Sequence, residues 1–304
     1  MTDTRQRDSD TRGLLFGFGA YALWGIFPAF FSMLKPATPL ELLAHRVLWT
    51  CVFMAVVLLI TRRVGDLRSI SPSNWRLLAC ATALISTNWL IYVYAITSGH
   101  VVDAALGYFI NPLVNVLLGV VIFGERLNRA QMVAVLLAVT AVVALFFGVG
   151  GNPLIGLGLA LSFGLYGVVK KIVPTDPRAS VAAESAIAAP FAVVFIIALQ
   201  FSGQGQFTNH GSGHLALMLL CGPVTAVPLL LFAAAAQRLP LVTLGLLQYV
   251  SPSLQLTWGI LVGHEPMPLA RWLGFTLVWV ALGVFSADAV SRAYRGRTGN
   301  LLPS

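Results

Sequence analysis

Ten stretches of mostly apolar residues follow one another along the chain, at approximately 13–34, 41–61, 75–97, 101–123, 130–149, 154–173, 180–200, 214–236, 240–262 and 270–290. Each is close to the length of about 20 residues that a helix, rising about 1.5 Å per residue, needs to cross a hydrocarbon core of about 30 Å. Lipid offers no partner to backbone N–H and C=O groups, so such a segment closes its hydrogen bonds within itself as an α-helix. Ten spans use about 200 residues of the 304 and leave short connections, with no room for a separate soluble domain. Composition agrees: 58% of residues are apolar and 10% charged, against roughly 25% charged in ordinary globular domains. The expected fold class is an all-α membrane protein of ten transmembrane helices. The first apolar run continues to Leu34, past the usual signal-peptide core of about 7–15 residues, and is read as a retained helix.

The formal net charge of +8 raises the question of nucleic acid, and the placement of the basic residues answers it. They sit singly or in pairs at the ends of apolar segments, the arrangement of the positive-inside rule. With the N-terminus in the cytoplasm, Arg5, Arg7, Arg12, Arg62, Arg63, Arg68, Arg76, Arg126, Arg129, Lys170, Lys171, Arg178, Arg238, Arg292, Arg295 and Arg297 face inward, sixteen of the nineteen basic residues. Lys35, Arg46 and Arg271 fall on or near the outer side, and the longest outer loop, Phe201 to Gly213, has no Lys or Arg. Both termini are therefore expected in the cytoplasm. The lipid bilayer is a partner and nucleic acid is not.

Self-similarity divides the chain. Gly17, Gly19 and Gly25 recur as Gly156, Gly158 and Gly164, a shift of 139, and Pro112, Gly119 and Glu125 recur as Pro252, Gly259 and Glu265, a shift of 140. The expected organisation is a tail over 1–12, a five-helix repeat over 13–149, a second over 150–290 and a tail over 291–304. Because five is odd, the second repeat enters the bilayer from the opposite side, which makes the halves inverted repeats about an axis in the membrane plane. Two similar halves of opposite orientation can exchange conformations and so expose one central site to either face. Duplication for structural economy alone is the blander alternative.

Ionisable and amide side chains at membrane depth are costly and tend to face a cavity or a partner. In span two, Glu41 and His45 share a face one turn apart and Arg46 lies about 100° further round. They form either the polar mouth of a pathway or a headgroup-level cluster with Arg46 snorkelling. In span four, Asp103, Gly107, Asn111 and Asn115 recur every fourth residue as a slowly drifting stripe that contains Pro112, whose ring frees a carbonyl one turn earlier. Span nine repeats the theme with Gln248, Ser251, Pro252 and Gln255. Asn88 and Tyr92 share a face beside Trp89, as do Tyr21, Trp24 and Pro28. Apolar walls with a few convergent polar groups suit a partly aromatic or amphipathic small molecule; interhelical hydrogen bonding competes as an explanation. His45, Asp103 and Glu184 are the candidates for proton coupling, with a structural salt bridge or an interfacial location as the alternatives for Glu184.

No covalent chemistry is expected. Gly17, Gly19 and Ala22 fit a loose dinucleotide fingerprint but follow no strand. Ala160, Ser162 and Gly164 approximate a nucleophile elbow without its strand–turn–helix context. Cys51, Cys80 and Cys221 lie singly within spans, and His264 and Glu265 lack further ligands at metal-site spacing. Neither a metal nor a cofactor is expected.

Several strings carry a family resemblance: Ala20-Tyr21-Ala22-Leu23-Trp24-Gly25 with Pro28, His45-Arg46-Val47-Leu48-Trp49, Asn88-Trp89-Leu90, Leu106-Gly107-Tyr108-Phe109-Ile110-Asn111-Pro112-Leu113-Val114-Asn115 and Gly124-Glu125-Arg126. The second half adds Leu165-Tyr166-Gly167, Pro228-Leu229-Leu230 and Thr243-Leu244-Gly245-Leu246-Leu247-Gln248-Tyr249. From about Gly13 to Asp288 the chain resembles the RarD-type branch, the chloramphenicol-sensitivity proteins, of the EamA group in the drug/metabolite transporter superfamily. The resemblance implies a ten-helix inner-membrane carrier, an exporter of a small metabolite or drug-like compound, compatible with a homodimer, and it adds Tyr249 to the pathway candidates. The family's usual Glu-Ala-Ser before Leu-Gly-Tyr is here Asp103-Ala104-Ala105, which keeps the carboxylate and loses a hydroxyl. A membrane-embedded enzyme and a non-transporting accessory protein are the rival readings.

Overall fold

The computed structural model describes residues 2–97, 101–149 and 153–262 with scattered positions from 269 to 288; the side chains of 2–9, 96–97, 101–106 and 144–149 are the main ones not described. Among the described residues all regular structure is α-helical. The first half comprises α1 (Thr2–Gly25), α2 (Phe27–Ser32), α3 (Pro39–Ile60), the short α4 (Val64–Arg68), α5 (Pro72–Thr97), α6 (Val101–Phe123) and α7 (Arg129–Val149). The second comprises α8 (Pro153–Ile172), α9 (Pro177–Phe201), α10 (Gly211–Ala236), α11 (Leu241–Leu247) and α12 (Val250–Leu261). Among the described residues six stretches are long and apolar enough to cross a membrane: Asp10–Ser32, Pro39–Ile60, Pro72–Ala95, Leu154–Ile172, Pro177–Phe201 and Gly211–Ala236. Gly107–Phe123 and Arg129–Val143 are shorter apolar helices. About half of the tenth expected span, including Arg271, lies outside the described residues, as does Glu265.

Two expected spans are not single helices. The first breaks at Ile26 because Pro28 has no N–H and its ring displaces the carbonyl one turn back; that carbonyl, on Trp24, instead accepts the Gln255 side-chain amide at 3.2 Å. The ninth breaks between α11 and α12 at Gln248 and Tyr249, just before Pro252, which cannot extend a helix from its N-terminal side without the same conflict. Pro112, in contrast, is carried inside an unbroken α6. The protein is apolar outside as well as within: Phe191 and Val194 on α9 are 77% and 68% exposed. Contiguous apolar surface on outward helix faces is a lipid-facing property.

The main packing is between halves. Helix α1 packs on α10 and α12, α3 on α9 and α10, α5 on α8 and α9, and α6 on α8 and α11. Small residues set the close approaches. A Cβ at Gly25 would meet Leu254 at 2.7 Å, and one at Gly164 would meet Val114 at 2.8 Å. A Cβ at Gly19 would meet Leu231 at 3.4 Å and one at Gly158 would meet Ile91 at 3.1 Å. Gly17 faces Leu247 and Gly107 faces Gly156. In each case a contact between the halves recurs with their roles exchanged, the glycine of one half moved forward by 139 positions and its partner back by 140. Glycine at these sites removes the side chain that would hold two helix backbones apart.

Candidate functional site

At the centre, α1, α2, α3, α5, α6, α8, α10 and the α11–α12 region enclose a cavity of about 230 Å³. Tyr21 and Trp24 reach it from α1, Arg46 from α3, Asn88, Trp89 and Tyr92 from α5, and Tyr108 and Asn111 from α6. Phe163, Gln248, Ser251 and Gln255 close the other side. Both interrupted helices therefore meet the cavity at their breaks. This volume is somewhat below the usual range of about 300–1,000 Å³ for pockets that hold drug-sized ligands.

Among the described residues Arg46 is the one charged residue in the lining. Its Nε donates to Thr225 Oγ1 on α10 at 3.2 Å. Its guanidinium carbon lies 4.6 Å from the Trp89 ring centroid, 5.2 Å from Phe31 and 5.6 Å from Phe27. The side chain thus points into the bundle and does not snorkel to the headgroups. The rings supply cation–π attraction, and the break at Ile26 is what turns Phe27 and Phe31 toward it.

Polar groups in the lining are unevenly satisfied. Asn88 donates to Leu159 O at 2.8 Å and Ser162 Oγ at 3.0 Å. The Tyr21 hydroxyl and Asn111 Oδ1 are buried without a hydrogen-bond partner. Behind Asn111, Asn115 donates to Gln248 Oε1 at 2.9 Å, tying α6 to the start of the α11–α12 break. Asn115 is therefore one layer behind the lining, and Tyr249 is too: it is fully buried and its hydroxyl donates to Phe109 O at 3.3 Å.

The remaining sequence candidates lie elsewhere. His45 stacks on Phe207 of the 201–213 loop at 4.6 Å and accepts from Trp49 Nε1 at 3.1 Å. Beside it Glu41 accepts from the Gln206 backbone at 2.6 Å, so this pair holds the loop against α3. Glu184 is buried and pairs with Lys170 at 2.5 Å, with Ser180 and Tyr166 hydroxyls donating at 2.9 Å and 3.1 Å. The side chain of Asp103 lies outside the described residues. Sequence reasoning missed Phe27, Phe31 and Thr225 around Arg46 and the pairing of Lys170 with Glu184. The one available signal was the aromatic i, i+4 pair Phe27 and Phe31 flanking Pro28; Thr225 and Lys170 are distant in sequence and gave none.

The basic end of the bundle is closed by Glu125. Its carboxylate accepts from Leu241 N at 2.7 Å and Val242 N at 2.8 Å, satisfying the first turn of α11, and Lys171 lies 3.6 Å away. A carboxylate at a helix N-terminus gains from both the free N–H groups and the local dipole. Gly119 makes room for it: a Cβ there would meet Glu125 Oε2 at 2.7 Å. At the same end, outside the spans, Arg178 beside Asp176 lowers the Asp176 carboxyl below its ordinary value, chiefly through side-chain hydrogen bonds.

Comparison with known proteins adds independent information. The description of the EamA-like transporter family matches the chain twice, over residues 11–147 and 152–287. Protein RarD of Streptomyces exfoliatus is 47% identical over 287 residues, covering 94% of this chain and 91% of that one. The uncharacterized transporter YojE of Bacillus subtilis is 39% identical, with 94% and 97% covered. A crystal structure at 21% identity superposes with a TM-score of 0.70 over 93% of this chain and 99% of its own, a likeness of fold.

Proposed function

The chain belongs to the EamA-like transporter family, in its RarD branch, and on that premise we propose that it is a secondary carrier exporting a small organic solute by alternating access. It is a multi-pass membrane protein. The proposal places it in the cell's inner membrane with both termini cytoplasmic, as ten spans in two inverted five-helix repeats, with no covalent step. The observation that carries it is the central cavity, where an interrupted helix from each half meets buried polar groups that have no protein partner. Interrupted helices at a repeat interface are where carriers of inverted-repeat architecture bind their cargo.

The paired glycine contacts support the repeats. Gly25 against Leu254 and Gly164 against Val114 are the same contact made twice with the roles of the halves exchanged, as a pseudo-two-fold axis through the cavity requires. The twofold match of the family description supports the same division. Alternation needs ends that can open. Glu125 on the α11 N-terminus is a tie of a few polar contacts, weaker than an apolar seal and exchangeable for water.

The test is flux. Metabolite profiling of cells with and without the protein identifies the enriched compound, and its uptake into inverted vesicles and into proteoliposomes of the purified protein should saturate. Ohmic conductance would indicate a channel, and absence of flux by the purified protein alone would indicate an accessory role. Termini labelled in different compartments would remove the even number of spans. Proton coupling is a separable element of the proposal, with His45, Asp103 and Glu184 as its candidates; transport insensitive to a pH gradient, or unchanged with all three neutralised, removes it.

A further inference from the structure

We propose that the cargo is a small organic monoanion, a carboxylate on an apolar or aromatic body, and that Arg46 binds its charge; this deepens the carrier reading and rests on it. The inference starts from a comparison within the molecule. Among the described residues, the buried Lys170 and half-buried Lys171 are matched by acids, Glu184 at 2.5 Å and Glu125 at 3.6 Å, while half-buried Arg238, just past the end of α10 and away from the cavity lining, lies over the Phe16 ring and donates to Ala234 O. Among the described residues Arg46 has no carboxylate within ion-pair distance, and none of those that line the cavity carries one. An ionised group withdrawn from water without a counter-charge is costly. Three aromatic faces and one hydroxyl offset only part of that cost.

The geometry selects the chemistry. With Nε committed to Thr225, Nη1 and Nη2 have no hydrogen-bond partner among the described residues, and a guanidinium presents such a pair as a planar fork that fits a carboxylate bidentately. A single positive charge, with no second basic residue among the described residues of the lining, favours a monoanion, because a dianion would bring one charge in unmatched. The walls beside the fork, Trp24, Trp89 and Phe163, suit an aromatic or compact apolar body. Asn111 Oδ1 and the Tyr21 hydroxyl, 1% exposed in each residue and unpartnered, leave an acceptor and a donor for one further polar substituent. Asp103 stands eight residues before Asn111 on α6, roughly 12 Å along the helix axis, toward its outer end.

The test uses the purified full chain in nanodiscs and matched acid and amide pairs: benzoate with benzamide, phenylacetate with phenylacetamide, and cyclohexanecarboxylate with its amide. Binding is read from the rise of the melting temperature with ligand concentration L, fitted to a stabilisation of RT ln(1 + L/Kd). The expected result is a preference of roughly ten- to a hundred-fold for the acid in at least one pair. In Arg46→Gln that ratio falls to near one, and in Arg46→Lys, which keeps the charge and loses the fork, it is intermediate. Equal binding of acid and amide, no acid binding in any pair, or a wild-type ratio in Arg46→Gln overturns the inference. An acid preference that appears only in Asp103→Asn overturns it too, since the protein would then supply its own counter-charge. Counterflow in proteoliposomes separates the two readings. Amide flux without acid preference leaves a carrier and removes the anion site, whereas acid binding without any flux leaves the anion site and removes the carrier.

Discussion

Replacing Glu184 by Leu tests what the buried Lys170–Glu184 pair does for the fold. In the native protein Lys170 is 1% exposed and Glu184 7%, and the carboxylate takes Lys170, Ser180 and Tyr166 as donors. After Glu184→Leu the ammonium keeps the Ser180 hydroxyl and the Tyr166 ring face but no counter-charge among the described residues. Breaking one side of a buried pair costs about 3–5 kcal/mol, because the remaining charge is uncompensated. At about 1.4 kcal/mol per factor of ten, that raises the unfolded population by two to three and a half orders of magnitude. Adding Lys170→Met removes the orphaned charge, and the residual loss is then the unpaired Tyr166 hydroxyl, about 1–3 kcal/mol. The double variant should therefore be more stable than Glu184→Leu alone. Equilibrium unfolding of the four proteins in mixed micelles gives the coupling directly. Additivity of the two single changes within about 0.5 kcal/mol would refute the pairing as an energetic unit.

Asn111→Leu should lower transport while leaving insertion and melting unchanged, because its carbonyl has no protein partner to lose; Asn115→Leu should lower both, because it strands Gln248 Oε1 at a cost of about 1–3 kcal/mol. Unaltered flux in both variants reassigns the stripe to helix packing. Glu125→Gln weakens the tie on α11 by about 1 kcal/mol, so a Cys at Ser251 should react roughly fivefold faster with an impermeant maleimide applied to inverted vesicles; an unchanged rate means that Glu125 does not hold this end closed. The folded-state pKa of Asp176 is below its ordinary 3.8, so its contribution is present above that value and is lost as pH falls through the lower folded one. The stability difference between the native protein and Asp176→Asn should accordingly shrink on acidification below about pH 4, and a difference that grows instead would contradict the assignment.

The cavity residues were partly legible because membrane depth makes polarity conspicuous. Asn88, Asn111 and Gln248 stand out against apolar neighbours, and Tyr21, Trp24, Trp89 and Tyr92 follow from shared helix faces. Periodicity assigns a face to each residue but not a neighbour to that face. Hence Asn111 and Asn115, one turn apart on the same stripe, divide into a lining residue and a strut behind it. His45, one position from Arg46, turns to the 201–213 loop because about 100° of helix rotation separates them.

Segment length and the distribution of charge determined that this chain crosses a membrane many times as helices, since both follow from backbone hydrogen bonding in a medium without water. The glycine repeat was also readable, because close helix contact admits no side chain. Only the tertiary structure decided where Pro28 and Pro252 break a helix and Pro112 does not, and that Lys170 and Lys171 have acids while Arg46 has none among the described residues. Those outcomes depend on which distant group arrives at the freed carbonyl or the buried charge: Gln255 lies 231 positions from Trp24, and Thr225 lies 179 from Arg46. No local pattern encodes such a meeting; packing of the two halves does.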